Sequence, residues 1–132
     1  MHKVSHLGID IGGAHLKVIG VDKKNKVVLV DYESCAIWKG VEKLKEKFRN
    51  INNIISDNSV KCGITMSGEM CDNFKNRLKG AKVLIKECNN LRFNNFFYVS
   101  SKEVFTKKPY YKKLISLNWH SIGRFLENKI ES

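Results

Sequence analysis

An aspartate and a pair of glycines near the N-terminus are the first residues of this 132-residue chain whose types and spacing could do chemistry. Asp10 lies near the end of a short apolar run, and Gly12-Gly13 follows it before a second apolar run begins. Paired glycines between two such runs predict a tight β-hairpin turn, because glycine tolerates the positive φ that these turns demand. A carboxylate beside a glycine-rich bend with exposed N–H groups can hold a metal ion next to a phosphate.

A second polar stretch, residues 65–74, follows a predicted buried strand and contains the acidic residues Glu69 and Asp72. Ligands of open α/β sheets bind at the carboxyl ends of the strands, so this stretch is expected to face the hairpin turn. The two carboxylates are either functional groups or part of a helix start, in which Ser67 would be the N-cap and acidic residues would favour the first turn. The two interpretations are compatible if the helix start also lines the site.

Other candidate residues carry weaker signals. His15 follows the turn, and it serves either binding and acid–base chemistry or strand packing. Lys17 is a candidate for neutralising phosphate charge if strand alternation places it on the same side as the turn. Arg77 is either a phosphate clamp or part of a solvated basic helix face. Asn118 either contacts a ligand directly or forms a hydrogen bond from its helix to a loop of the site.

Hydrophobic periodicity predicts the elements that must position these residues. Strands are predicted at 4–11, 15–22, 27–32, 60–66, 94–99 and 103–105, and helices at 41–55, 76–89 and from Pro109 onward. The first three strands form an antiparallel meander. A helix between two strands is a crossover, so strand 60–66 is expected to lie parallel to the first strand. The predicted fold class is therefore α/β, a mixed sheet with an N-terminal β-meander and flanking helices.

The composition excludes some classes of function and leaves others open. The net charge is +11. A basic balance is typical of nucleic-acid binding. However, the lysines are spread along the chain and accompany many asparagines, as coding bias alone would give, so a nucleic-acid partner is not expected.

No apolar run approaches the roughly 20 residues of a membrane helix, and a cytoplasmic location without membrane contact is expected. The four cysteines form no close pair, so reduced and buried thiols are expected rather than zinc ligands.

The two polar stretches together resemble a known protein family. Residues 10–17, Asp-Ile-Gly-Gly-Ala-His-Leu-Lys, resemble the first phosphate turn of the actin-like ATPase superfamily, which includes sugar kinases and Hsp70. The Ala-His-Leu-Lys part makes the turn similar to that of the hydantoinase/oxoprolinase-like branch. Residues 66–74 are similar to the Met-Thr-(Ala or Gly)-Glu-Leu-x-Asp-x-Phe motif of that branch, with Ser67 in place of Thr and Met70 in place of Leu. Leu117-Asn118-Trp119 is similar to its Ala-Asn-Trp motif.

The resemblance implies an actin-like, or ribonuclease H-like, lobe and a transferase of methanofuran biosynthesis in one-carbon metabolism. Such an enzyme condenses a small-molecule phosphate ester, an activated aminomethylfuran diphosphate, with an aromatic amine derivative, γ-glutamyltyramine. That chemistry needs a metal-held diphosphate leaving group and a base for the phenol. The resemblance implies that Asp10 binds Mg²⁺, that Gly12 and Gly13 cradle the phosphate, and that Glu69 or Asp72 is the base or a second metal ligand.

Members of the family are longer than this chain and carry a second phosphate turn of the Asp-x-Gly-Ser-Thr type, which this sequence lacks. Residues 1–132 are therefore expected to form a single N-terminal lobe, one wall of a ligand cleft. A second lobe or another copy of the chain would complete the cleft; otherwise the gene is split or truncated, or the lobe only binds. Two other functions stay open: a kinase-like lobe that binds ATP with a partner lobe, and a non-catalytic interaction module.

Overall fold

A six-stranded mixed sheet organises the part of the chain that the computed structural model describes, namely residues 3–68, 74–98 and 105–107. A short 3-10 helix, Ile37–Lys39, precedes the first α-helix. The other elements in chain order are β1 (His6–Ile11), β2 (His15–Val21), β3 (Val27–Ser34), α1 (Glu42–Ile54), β4 (Lys61–Met66), α2 (Arg77–Cys88), β5 (Asn94–Tyr98) and β6 (Phe105–Thr106).

The strand order is β3-β2-β1-β4-β5-β6. Strands β1, β2 and β3 pair antiparallel, whereas β4 pairs parallel with β1 and β5 pairs parallel with β4. The α1 and α2 crossovers make the parallel pairs possible. The predicted α/β class, a mixed sheet with an N-terminal meander and flanking helices, is confirmed, and the order of the first five strands is that of a ribonuclease H-like lobe.

Strand alternation gives the sheet two chemically different faces. One face buries apolar side chains from each central strand, and the apolar sides of α1 and α2 pack in the same core. Phe48 of α1 and Leu84 of α2 are completely buried there. The other face, called the second face below, carries Asp10 and Thr65 among small and apolar side chains. Asp10 and Thr65 therefore lie on the face of the sheet opposite α1 and α2.

The predicted elements occur wherever the structure describes them, with ends that differ by one or two residues. The 3-10 helix was not predicted, because three residues are too few to show a period. Its Ile37 side chain is completely buried, so this connection belongs to the core. The predicted helix from Pro109 lies outside the described residues, and so do Glu69, Asp72 and Asn118.

Three of the four cysteines are buried in the core, as expected for structural thiols: Cys35, Cys62 and Cys88. Burial raises the pKa of the Cys62 thiol to about 12, which leaves little reactive thiolate near neutral pH. No helix among the described residues is long and apolar enough to cross a membrane.

Candidate functional site

The hairpin turn between β1 and β2 is closed by a hydrogen bond that the Gly12 N–H donates to the His15 carbonyl oxygen, at 3.0 Å. The predicted reason for its glycines is wrong. Among the described residues, positive φ occurs at Asn25 and Gly40, not in this turn. Gly12 is needed because a Cβ there would lie 3.0 Å from the His15 carbonyl oxygen and 3.2 Å from the Lys17 Nζ atom. Close approach of the backbone therefore accounts for this glycine.

The polar stretch after β4 packs against this turn, as predicted, in its described part. The Ser67 N–H donates to the carbonyl oxygen of Ile11 at 2.9 Å. A Cβ on Gly68 would lie 3.3 Å from the carbonyl oxygen of Gly12, so Gly68 also lies directly against the turn. Sequence reasoning assigned no role to Gly68, although its place in the polar stretch was a signal for one.

The connection after β3 holds the turn from its other side. The Cys35 N–H donates to the Ala14 carbonyl oxygen at 2.8 Å, and the Ile37 N–H donates to the Gly13 carbonyl oxygen at 3.0 Å. Both donors belong to buried residues, so these hydrogen bonds tie the turn to the core. The turn is thereby fixed by two separate chain segments.

Asp10 and Lys17 form an ion pair at the start of the turn, with 2.9 Å between the Lys17 Nζ atom and the Asp10 Oδ2 atom. The two residues are register partners in the β1–β2 pair, so both side chains lie on the second face. The sequence did not determine on which side of β2 the Lys17 side chain lies. The register places it beside the Asp10 carboxylate. The Lys17 side chain is 40% exposed, and such pairs add only about 0–1 kcal/mol to stability.

Two buried side-chain oxygens next to this ion pair have no hydrogen-bond partner among the described residues: Asp10 Oδ1 and Thr65 Oγ1. Asp10 and Thr65 are register partners in the parallel β1–β4 pair. Buried polar atoms without a partner are rare in folded proteins. Sequence reasoning placed Thr65 in the polar stretch but gave it no role, because its relation to Asp10 follows from strand register.

These oxygens fit the chemistry of a magnesium site. Mg²⁺ binds through one or two carboxylates while it keeps several waters, so a site with few protein ligands suits it. The described residues contain no group of three or more His, Cys, Asp or Glu side chains that could hold a metal. A cation at this position would therefore depend on Asp10 with neutral oxygen ligands, and Thr65 is the nearest in strand register.

A cavity of about 410 Å³ lies over the second face and is lined in part by Asp10 and Thr65. Asp10, Lys17 and Thr65 supply polar groups to its wall. The rest is mostly apolar and includes Gly8, Gly63, Ile19, Val30 and Tyr32. An apolar pocket with a few convergent polar groups is typical of small-molecule sites.

His15 packs on this face rather than pointing freely to solvent. Its ring stacks on that of Tyr32, with 4.8 Å between centroids and 16° between planes. The His15 ring therefore packs on a side chain of the neighbouring strand β3. Tyr32 remains 64% exposed, so the stack lies at the surface.

Helix α2 has Asn76 as its N-cap. The side chain of Asn76 caps this helix by accepting a hydrogen bond from the Lys79 N–H at 2.9 Å. The helix start predicted at Ser67 involves residues 69–73, which lie outside the described residues, so the capping interpretation of Ser67 stays a prediction. Arg77 is the first residue of α2 and is exposed.

No protein-family model matches the chain. One curated relative is (4-{4-[2-(γ-L-glutamylamino)ethyl]phenoxymethyl}furan-2-yl)methanamine synthase from Methanocaldococcus jannaschii. The two sequences are 26% identical over an alignment of 137 positions, which covers 98% of this chain and 38% of the relative. The similarity therefore spans nearly the whole chain but less than half of the relative.

Two solved structures from Cytophaga hutchinsonii are similar in fold to part of the chain. One is a putative sugar kinase, with a TM-score of 0.42, 19% identity and coverage of 68% of this chain and 35% of that chain. The other is an exopolyphosphatase, with a TM-score of 0.41, 17% identity and coverage of 70% and 33%.

Substitution of Gly12 by alanine is expected to destabilise the protein by about 1–3 kcal/mol, because the new methyl group meets a backbone oxygen inside a closed turn. Thermal unfolding followed by circular dichroism measures the effect. Ala14→Ser is the matched control, since it adds one heavy atom at an exposed position of the same turn and should leave the midpoint nearly unchanged. Equal midpoints for Gly12→Ala and the control would contradict the close-approach explanation.

Proposed function

We propose that this chain binds the diphosphate end of an activated small-molecule ester, together with Mg²⁺, as part of a hydantoinase/oxoprolinase-like transferase of methanofuran biosynthesis. The observation that carries the proposal is the Asp10 carboxylate beside a fixed glycine turn, with one oxygen paired to Lys17 and the other buried without a partner among the described residues. A diphosphate–metal complex needs both a carboxylate for the cation and a positive charge near the phosphates.

The relative's name supports the choice of substrates. It describes a product in which a phenoxymethyl group joins a furan to a γ-glutamylaminoethyl chain. The proposed reaction forms that ether. The phenolic oxygen of γ-glutamyltyramine attacks the methylene carbon of an aminomethylfuran diphosphate, the carbon–oxygen bond to diphosphate breaks, and the phenolic proton passes to a base.

The charged candidate residues have the following proposed parts in this reaction. Asp10 would hold the divalent cation, which would neutralise charge on the leaving diphosphate. Lys17 lies beside Asp10 and places a further positive charge there. Glu69 or Asp72 is the proposed base for the phenol.

The remaining candidates have binding roles in the proposal. Gly12 and Gly13 form the backbone turn that the diphosphate approaches, and Ser67 holds a neighbouring strand end against it. His15 is proposed to contact the aromatic substrate through its stack with Tyr32. Arg77 and Asn118 are proposed as further substrate contacts.

The condensation is proposed to need a second lobe in addition to these residues. The matched region covers only 38% of the length of the relative, so the relative extends well beyond it. That lobe would supply the opposing phosphate turn, from the same protein, from a second polypeptide or from another copy of the chain.

Calorimetric titration with inorganic pyrophosphate in the presence of Mg²⁺ tests the proposal, with ATP and Mg²⁺ as the comparison. We expect saturable pyrophosphate binding that EDTA abolishes, and ATP binding that is no tighter. Tight binding of ATP alone would favour a kinase-like lobe. Absence of binding by both ligands would overturn the proposal in favour of a non-catalytic module.

A further inference from the structure

The residues that carry the Thr65 hydroxyl and the Asp10 Oδ1 atom lie side by side on the second face. They lie on adjacent parallel strands as register partners, and both oxygens are buried without a hydrogen-bond partner among the described residues. Both residues also line the same cavity. A threonine hydroxyl that served the fold would be bonded to a neighbouring carbonyl or side chain, as most buried hydroxyls are.

The chemistry of the two oxygens selects what can satisfy them. An ionised carboxylate only accepts hydrogen bonds, and a hydroxyl oxygen offers two lone pairs besides its single proton. A phosphate oxygen placed against Asp10 Oδ1 would meet a like charge. A cation, or the water bound to one, satisfies both oxygens at once. Lys17 already contacts the other carboxylate oxygen, Oδ2, which leaves Oδ1 for a second positive group.

We propose that Thr65 is a ligand-contacting residue that, with Asp10 Oδ1, binds a divalent cation of the magnesium type. The inference rests on the proposed function, because that function supplies the cation. It adds a neutral oxygen ligand on β4 to the acidic ligand on β1. The cation would thus join the two central parallel strands at their carboxyl ends.

The test compares Thr65→Val, which removes the hydroxyl at nearly constant volume, with Thr65→Ser, which retains it. Mn²⁺ is the probe, and its binding is followed by the loss of the free-ion electron paramagnetic resonance signal. Thr65→Val should weaken Mn²⁺ binding by about 10–100-fold, the range seen when a supporting group of a metal site is removed. Thr65→Ser should bind Mn²⁺ within about threefold of the wild-type protein.

Thermal unfolding without metal gives a second readout that a structural role would move in the opposite direction. Removal of a buried hydroxyl that has no partner should leave the midpoint unchanged or raise it by about 2–4 °C. A lowered midpoint with intact Mn²⁺ binding would show that Thr65 serves the fold, and would overturn the inference.

The outcome is separable from the proposed function. Wild-type Mn²⁺ binding that depends on Thr65, without any pyrophosphate binding, would support the cation site and reject the diphosphate proposal. Metal-dependent pyrophosphate binding that is equal in the wild-type protein and Thr65→Val would reject the role of Thr65 alone.

Discussion

Asp10→Asn is expected to weaken Mg²⁺-dependent pyrophosphate binding by at least about 100-fold, since removal of an outer group of a metal site already reduces affinity by about 10–100-fold. The substitution keeps the shape of the side chain but removes its negative charge. It also leaves Lys17 as an unbalanced positive charge, which attracts pyrophosphate. A large loss of binding despite that added attraction would show that the carboxylate acts through the cation.

The same variant should fold almost normally. Asp10 and Lys17 are both partly exposed, so the loss of their ion pair should change the free energy of unfolding by no more than about 1 kcal/mol. Glu46→Gln is the matched control, because it removes one negative charge from an exposed position on α1. Its pyrophosphate affinity should equal that of the wild-type protein. Binding that persists in Asp10→Asn would remove Asp10 from the site.

Phe48→Ala is expected to lower the free energy of unfolding by about 3–5 kcal/mol, the usual effect of truncating a fully buried aromatic side chain. Phe48 is on α1, its exposed fraction is 0%, and it belongs to the core that covers the first face of the sheet. A domain of ordinary stability has only about 5–15 kcal/mol in total. Urea denaturation followed by circular dichroism measures the loss.

Arg49→Ala tests whether the loss of stability comes from removing a buried side chain or from any alanine substitution in α1. Arg49 is the next residue of α1 and is exposed, so its substitution should change the free energy of unfolding by less than about 0.5 kcal/mol. Similar losses for the two variants would show that α1 does not anchor the core through Phe48.

Helix α1 shows why much of the fold could be predicted from the sequence. Its buried residues Leu44, Phe48 and Ile51 recur at spacings of three and four, and the polar run 56–59 follows the pattern. Such a pattern defines the length and the buried side of a helix without knowledge of its neighbours. The crossover rule then places β4 parallel to β1, as the structure confirms.

The candidate site could be predicted only in part, because its geometry depends on strand register. The place of Asp10 before the glycines is a local signal, and the sequence alone indicates it. Thr65 lies far from Asp10 in the chain, and only the β1–β4 pairing places the two side by side. Gly12 shows a different limit. Glycine suits both positive φ and close approach, and the sequence does not distinguish these two reasons.

The hydrogen bonds that tie the hairpin turn to Cys35, Ile37 and Ser67 have a consequence for binding entropy. A free loop loses conformational entropy when a ligand orders it, and this loss reduces affinity. Here folding has already restricted the turn, at a loss of about 1–2 kcal/mol for each ordered residue. A ligand that reaches the turn meets a preorganised backbone, and its contacts contribute to affinity without a further ordering step.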